Sequence, residues 1–218
     1  MKFWKLASAA TALILSSSVN ASLIINGSFE GGSPSPPDGS FITLDSPNTS
    51  IEGWTVTGGS VDWIHSNYWN ASNGLYSLDM SGLSAGTIES TSFATVIGQE
   101  YLLTFDIAGN FAEKFWGTDP TAITMEMNVD VGNTVSTLFT SNWFDTYSYQ
   151  NMGWIEQRLI FTATDTLTSI TFTSLEDKGY GAALDNVSVT GVVPVPAAIW
   201  LFGSGLLGLV GFARRKKA

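Results

Sequence analysis

The stretch EYLLTFDIAG, Glu100 to Gly109, alternates strictly: Tyr101, Leu103, Phe105 and Ile107 fall on one side, and Leu102, Thr104 and Asp106 fall on the other. A period of two is the signature of a strand with one buried face. The next apolar run, AITMEMNVD, repeats it, with Ile123, Met125, Met127 and Val129 set against Thr124, Glu126, Asn128 and Asp130. The same pattern marks VDWIHS, YSLDM, GTIESTSFAT, TVSTLFT, WIEQRLIFTA, TSITFTS and ALDNVSVT, and helical periodicity is lacking between residues 22 and 193. Roughly ten short strands at this spacing predict an all-β chain folded as one two-sheet sandwich. In the last of these strands Asp185, Val187 and Val189 are expected on one core-facing side. Gly31 to Ser40 reads as an irregular loop, and Asn110 to Pro120 and Ser141 to Gly153 read as long aromatic-rich connections.

Both ends carry targeting chemistry. Lys2 and Lys5, an apolar stretch from Leu6 to Val19, and Val19-Asn20-Ala21 predict a signal peptide over 1–21, cleaved before Ser22. At the other end, over 194–218, Pro194 and Pro196 lead into an apolar run from Ala197 to Ala213, followed by Arg214, Arg215, Lys216 and Lys217. As a helix those 17 residues span roughly 26 Å, a little short of the roughly 30 Å hydrocarbon core. The basic cluster is expected to hold the C-terminus on the cytoplasmic side, with everything before Pro194 across the membrane. This tail resembles the PEP-CTERM signal of exopolysaccharide-producing Gram-negative bacteria, with Val195 where the namesake glutamate stands. The resemblance implies an exosortase-type sorting enzyme as partner, removal of a first membrane-anchored tail, and delivery to the cell surface or the biofilm matrix. An ordinary, uncut tail anchor is the alternative.

Between the two segments lies a single domain, 22–193. Of nine basic residues only Lys114, Arg158 and Lys178 lie within it, against all 19 acidic ones, a net charge of 3 − 19 = −16. Such a surface excludes nucleic acid as a partner and attracts divalent cations. There is no cysteine, hence neither disulfide nor thiolate metal site.

The opening LIINGSFE, the central IGQEYLLTFDIAGN and the closing ALDNVSVT, in that order, resemble the choice-of-anchor C family of exported proteins, relatives of the DUF642 and galactose-binding-like carbohydrate-binding modules. The resemblance implies a jelly-roll sandwich whose activity is binding. It also implies that Glu30 and Asp185 meet at a structural Ca2+. The charge supports that expectation, because a buried carboxylate needs a partner and this domain offers three cations. Backbone hydrogen bonds to Asp185, without a metal, are the alternative.

Sugar binding calls for an aromatic face ringed by polar groups. The aromatic-rich VDWIHSNYWN supplies Trp63, His65, Tyr68 and Trp69 beside Asp62, and Tyr180 stands near the final strand; Trp116, Trp143, Tyr147 and Tyr149 are further loop aromatics. Tyr68 and Trp69 are the first choices. The lone His65 fits a hydrogen-bonded structural role better than catalysis. Trp54 and Trp154, at strand edges, read as core. GLSAG, Gly82 to Gly86, matches a nucleophile-elbow pattern, but a strand follows it and His65 precedes Ser84, so it reads as a turn. Pairs for glycoside hydrolysis could be drawn from Asp62, Asp79, Asp106 and Glu126, with no spacing to test. The chain is therefore expected to be a non-catalytic, surface-exported carbohydrate-binding protein acting on exopolysaccharide. A structural or adhesive matrix protein is the second reading and a hydrolase a distant third.

Overall fold

The computed structural model describes residues 21–110, 123–132, 135–143 and 148–192. The signal segment, the sorting residues Pro194, Pro196, Arg214 and Arg215, the 197–213 run, Trp116, Tyr147 and the side chain of Trp143 lie outside the described residues. Thirteen strands are described: β1 (Phe41–Asp45), β2 (Trp54–Gly58), β3 (Ser60–His65), β4 (Tyr76–Asp79), β5 (Thr87–Ser90), β6 (Phe93–Ala94), β7 (Glu100–Ala108), β8 (Ile123–Val131), β9 (Val135–Trp143), β10 (Ile155–Thr162), β11 (Leu167–Thr168), β12 (Ile170–Ser174) and β13 (Ala183–Gly191). They form a six-stranded sheet, β1-β3-β4-β13-β7-β10, and a five-stranded sheet, β2-β5-β12-β8-β9, with a two-stranded β11-β6 ribbon. Every pairing is antiparallel. The chain is thus an all-β two-sheet sandwich, as the alternation predicts.

Alternation decides what meets between the sheets. Leu103, Phe105 and Ile107 of β7 face Phe172 of β12 and Met127 and Val129 of β8, all buried. The ring of Phe105 stands edge-on to Phe172 at 5.1 Å and to Phe139 at 4.9 Å between centroids. Trp54 and Trp63 enter the same core. The opening NGSFE turn fastens it. Asn26 and Phe29 take left-handed backbone angles, φ 52° and 59°, which asparagine tolerates locally and which for a phenylalanine marks a constrained turn. That turn delivers Phe29 into the core and leaves two carbonyls, of Asn26 and Phe29, to accept the indole N–H groups of Trp54 and Trp63. Gly27 is required there: a Cβ would lie 1.8 Å from the carbonyl oxygen of Val187.

The final strand departs from the expected facing. Leu184, Val187 and Val189 all lie in the core, and the pairing of β13 with β7 shifts register between Asp185 and Ser188. Asn186, at φ 54°, is the irregular residue. Such a bulge inserts one extra residue and reverses the facing beyond it. Asp185 therefore lies on the outer face of the six-stranded sheet, not beside the two valines.

Candidate functional site

The outer face of the six-stranded sheet is acidic. Asp62 of β3 stands directly across from Asp79 of β4, and Asp185 of β13 directly across from Asp106 of β7. All four are buried, because two loops fold over this face. Residues 66–75 and 148–154 are stitched together by Asn70, whose N–H and side-chain amide donate to the carbonyls of Tyr149 and Gln150, each at 2.7 Å. The carbonyl of Asn70 accepts the indole N–H of Trp154 at 2.9 Å. Under the loops a second apolar cluster forms from Ile64, Ala108 and Ala183 of the sheet and Trp69 and Met152 of the loops, with Tyr68, Tyr149 and Trp154 packed against it.

At the edge of this cover is a pocket of about 190 Å³. Its floor is Asp62, Ile64 and Asp79; its walls are Phe41, Tyr68, Trp69, Tyr149 and Tyr180, with Asn110 and Gly179. Tyr68 is the hub of the aromatic wall, 5.3 Å from Phe41 and 5.5 Å from Tyr149 between ring centroids. Burial, then the neighbouring Tyr149, push the Tyr68 hydroxyl up to about 12, so it stays a neutral donor.

The two floor carboxylates differ. Asp79 accepts the N–H groups of Ser81 (2.9 Å) and Gly181 (2.7 Å) on Oδ1 and the Asn110 amide on Oδ2, and is 4% exposed. Burial still holds it well above the usual carboxylate range. It pins the loops. Asp62 accepts one bond, from the Thr43 hydroxyl to Oδ1 at 2.5 Å; its Oδ2 has no hydrogen-bond partner among the described residues. Burial raises its pKa, opposed by Thr43 and reinforced by Asp45. Asp62 is the acceptor left for something in the pocket.

Of the residues expected to touch a ligand, the structure brings Tyr68, Trp69 and Tyr180 together and leaves out Trp63 and His65. The reason is the period of two. Asp62 and Ile64 face outward, so Trp63 and His65 face inward. Trp63 has 0% exposure. His65 sits at the rim, its Nδ1 accepting the N–H of Asn67 at 3.1 Å, 3.6 Å from Asp38 and edge-on to Tyr76. Trp69 is 2% exposed and donates its indole N–H to Ser77, so it shapes the wall from behind. Phe41, Ile64 and Asn110 were not anticipated; Phe41 was detectable through the alternation in FITLD.

Glu30 and Asp185 do converge, on the segment 73–76. Glu30 Oε1 accepts the N–H groups of Leu75 and Tyr76 at 2.8 and 2.9 Å; Asp185 accepts those of Asn73 at 2.7 Å and Asn186 at 2.6 Å. Gly74 makes this possible, since a Cβ there would lie 2.4 Å from Glu30. Burial pushes Asp185 up to about 7 against those bonds, with Asp106 adding to the rise. N–H donors thus engage Glu30 Oε1 and both oxygens of Asp185, and among the described residues no three His, Cys, Asp or Glu side chains are grouped to hold a metal. In this arrangement the two carboxylates act as acceptors for the backbone N–H groups of the 73–76 segment and Asn186.

A larger cavity, about 280 Å³, opens at the far end of the sandwich beside Glu89, Asp165 and Thr171. Its only aromatic, Phe161, is 3% exposed and stacked on Tyr101 in the core. It offers no ring face to a ligand. GLSAG is a turn closed by a Ser81–Ala85 bridge and followed by β5, as expected.

A family model described as "Protein of unknown function (DUF642)" matches residues 22–190, and one for the PEP-CTERM protein-sorting motif matches residues 192–217. Halomucin of Haloquadratum walsbyi is 31% identical over 170 residues; these are 77% of this chain and 2% of Halomucin, so the chain spans about one-fiftieth of that curated relative. Among solved structures, a family 16 carbohydrate-binding module is 14% identical, with TM-score 0.45 over 77% of this chain and 99% of that one. The TmCBM61 complex with beta-1,4-galactotriose is 14% identical, with TM-score 0.45 over 78% and 99%. An arabinose-bound α-L-arabinofuranosidase is 12% identical, with TM-score 0.47 over 79% of this chain and 26% of that one.

Proposed function

For a chain that belongs to the DUF642 family and carries a PEP-CTERM sorting motif, we propose a non-catalytic carbohydrate-binding role at the surface to which that motif exports it. The observation that carries this reading is an aromatic wall over Asp62, a carboxylate whose Oδ2 has no hydrogen-bond partner among the described residues. Tyr68, Tyr149 and Tyr180 supply an aromatic wall for the apolar side of a pyranose, the Lys178 ammonium standing 5.5 Å over the Tyr180 ring, and Asp62 Oδ2 would accept a hydroxyl. The pocket is smaller than the roughly 300–1,000 Å³ of ordinary ligand sites, a size suited to one sugar unit of a longer chain.

Hydrolysis is disfavoured by the acids themselves. The reaction needs two reachable carboxyl groups, and both Asp79 oxygens are held by the protein. Exopolysaccharide is the ligand class that fits, with the exosortase that reads the motif as processing partner and the extracellular matrix as destination. The 197–213 run would hold the chain in the membrane until processing.

Tyr180→Ala and Tyr68→Ala are each expected to weaken polysaccharide binding about tenfold, the equivalent of about 1.4 kcal/mol for one aromatic contact. Retardation in polysaccharide-containing native gels measures it, and unchanged retardation in both variants removes the pocket from the account. Glu30 and Asp185 serve here as clamps on the 73–76 loop. EDTA is accordingly expected to leave the melting temperature unchanged; a fall of several degrees would reinstate calcium.

A further inference from the structure

The two ends of the sandwich differ. The pocket lies where β7 ends and β13 begins; the chain leaves where β7 begins and β13 ends, Gly191 lying across from Tyr101 and the N–H of Val192 bonded to the carbonyl of Glu100 at 2.9 Å. Nine residues of β7 separate these ends by about 30 Å. Three large apolar side chains stand exposed at the exit end: Val96 (61%), Ile97 (62%) and Leu167 (62%).

These three belong to one tip. The N–H of Val96 donates to the Tyr101 hydroxyl at 2.9 Å, Gly98 bonds to Ala163 at 2.8 Å, Thr95 bonds to Thr166 at 2.9 Å, and Leu167 pairs with Ala94. The 95–99 turn is thus tied to the 163–167 turn on one side and to the exit of β13 on the other. The sorting motif begins at Val192 itself. Between that anchored residue and the start of the apolar run at Ala197 the chain can reach at most about 17 Å. While the run is in a bilayer, the tip cannot leave the membrane surface by more than that.

The geometry points to the Val96-Ile97-Leu167 tip as a lipid-contacting foot, seated in the boundary region of the outer leaflet before the tail is removed. Three side chains would not hold a free domain on a bilayer, but a short tether makes the contact intramolecular and weak contacts then suffice. Seated so, the sandwich stands upright, with the aromatic pocket about 30 Å from the membrane. The net charge of −16 over 22–193 favours a zwitterionic surface over an anionic one.

The full chain has no cysteine, so a single introduced thiol labels uniquely. Ile97→Cys and, at the pocket end, Leu83→Cys (74% exposed, its N–H on the Ser60 hydroxyl) would carry an environment-sensitive fluorophore in phosphatidylcholine vesicles. Iodide quenching is expected to be at least threefold weaker at 97 than at 83. Adding Val96→Ser and Leu167→Ser to the Ile97→Cys chain is expected to restore quenching. Equal quenching at 97 and 83 overturns the proposal, as does protection that survives the two serines, which would report the tether alone. Protection seen only when a processing enzyme is co-reconstituted also overturns it, by giving the tip a protein partner.

Discussion

Acidification from pH 8 to pH 5 is expected to stabilise this protein, raising its melting temperature on the order of 10 °C. Asp185 is one source of the effect. Its carboxyl titrates near 3.8 unfolded and is pushed to about 7 when folded, first by burial. The folded state therefore binds more protons than the unfolded state between those values, and stability falls as pH rises from about 4 to about 7. The full span amounts to about 4 kcal/mol. Asp79 and Asp62 shift the same way, again through burial. The usual opposing contribution, carboxylates stabilised by cations, is small among the described residues. The pair Arg158–Glu156 joins two exposed side chains and Lys178–Glu176 an exposed lysine to a partly buried glutamate, and such surface pairs contribute about 0–1 kcal/mol each. Thermal melts at both pH values, repeated in EDTA, check this. A higher melting temperature at pH 8 would contradict the burial of these acids, and a pH dependence that emerges only in EDTA would place a cation on Asp185.

Trp63→Ala is expected to destabilise the fold by about 3–5 kcal/mol, the usual range for truncating a large buried aromatic. The ring is fully buried, 5.3 Å from Tyr76, and its N–H satisfies the Phe29 carbonyl at 3.1 Å. Trp63→Phe keeps most of the ring but leaves that carbonyl unpaired, a loss of about 1–3 kcal/mol. Equilibrium urea unfolding measures both. The phenylalanine variant separates structure from function, because Trp63 faces inward: polysaccharide binding should be unchanged in the folded fraction. Loss of binding with wild-type stability would return Trp63 to the ligand site.

The main strands are legible because β7 and β8 set a continuous row of large apolar side chains on the core face and mostly polar residues on the other, so the period of two shows in the order of residues. β1 and β2 escaped notice as short, threonine-rich segments, FITLD and WTVTG. The facing of Asp185 was misjudged for a local reason, the bulge at Asn186, although a clue was present: Leu184 and Val187 are three apart in a run otherwise spaced by two. Trp63 and His65 part from Tyr68 and Trp69 for a different reason. The aromatics of VDWIHS stand next to Tyr68 and Trp69 in sequence, but the end of β3, where facing changes, lies between them. The acidic outer face could not be read from sequence, because it depends on the register of β3, β4, β7 and β13, strands distant in the chain.

On the proposed function, the pocket of Tyr68, Tyr149, Tyr180 and Asp62 grips a sugar. A glycan array probed with the 22–193 domain tests it most directly, with Tyr180→Ala alongside. Selective binding to a subset of polysaccharides is expected, reduced about tenfold by the substitution. Binding to none, together with retained attachment of the wild-type protein to the cell-surface matrix, would contradict it and leave this sandwich a structural component.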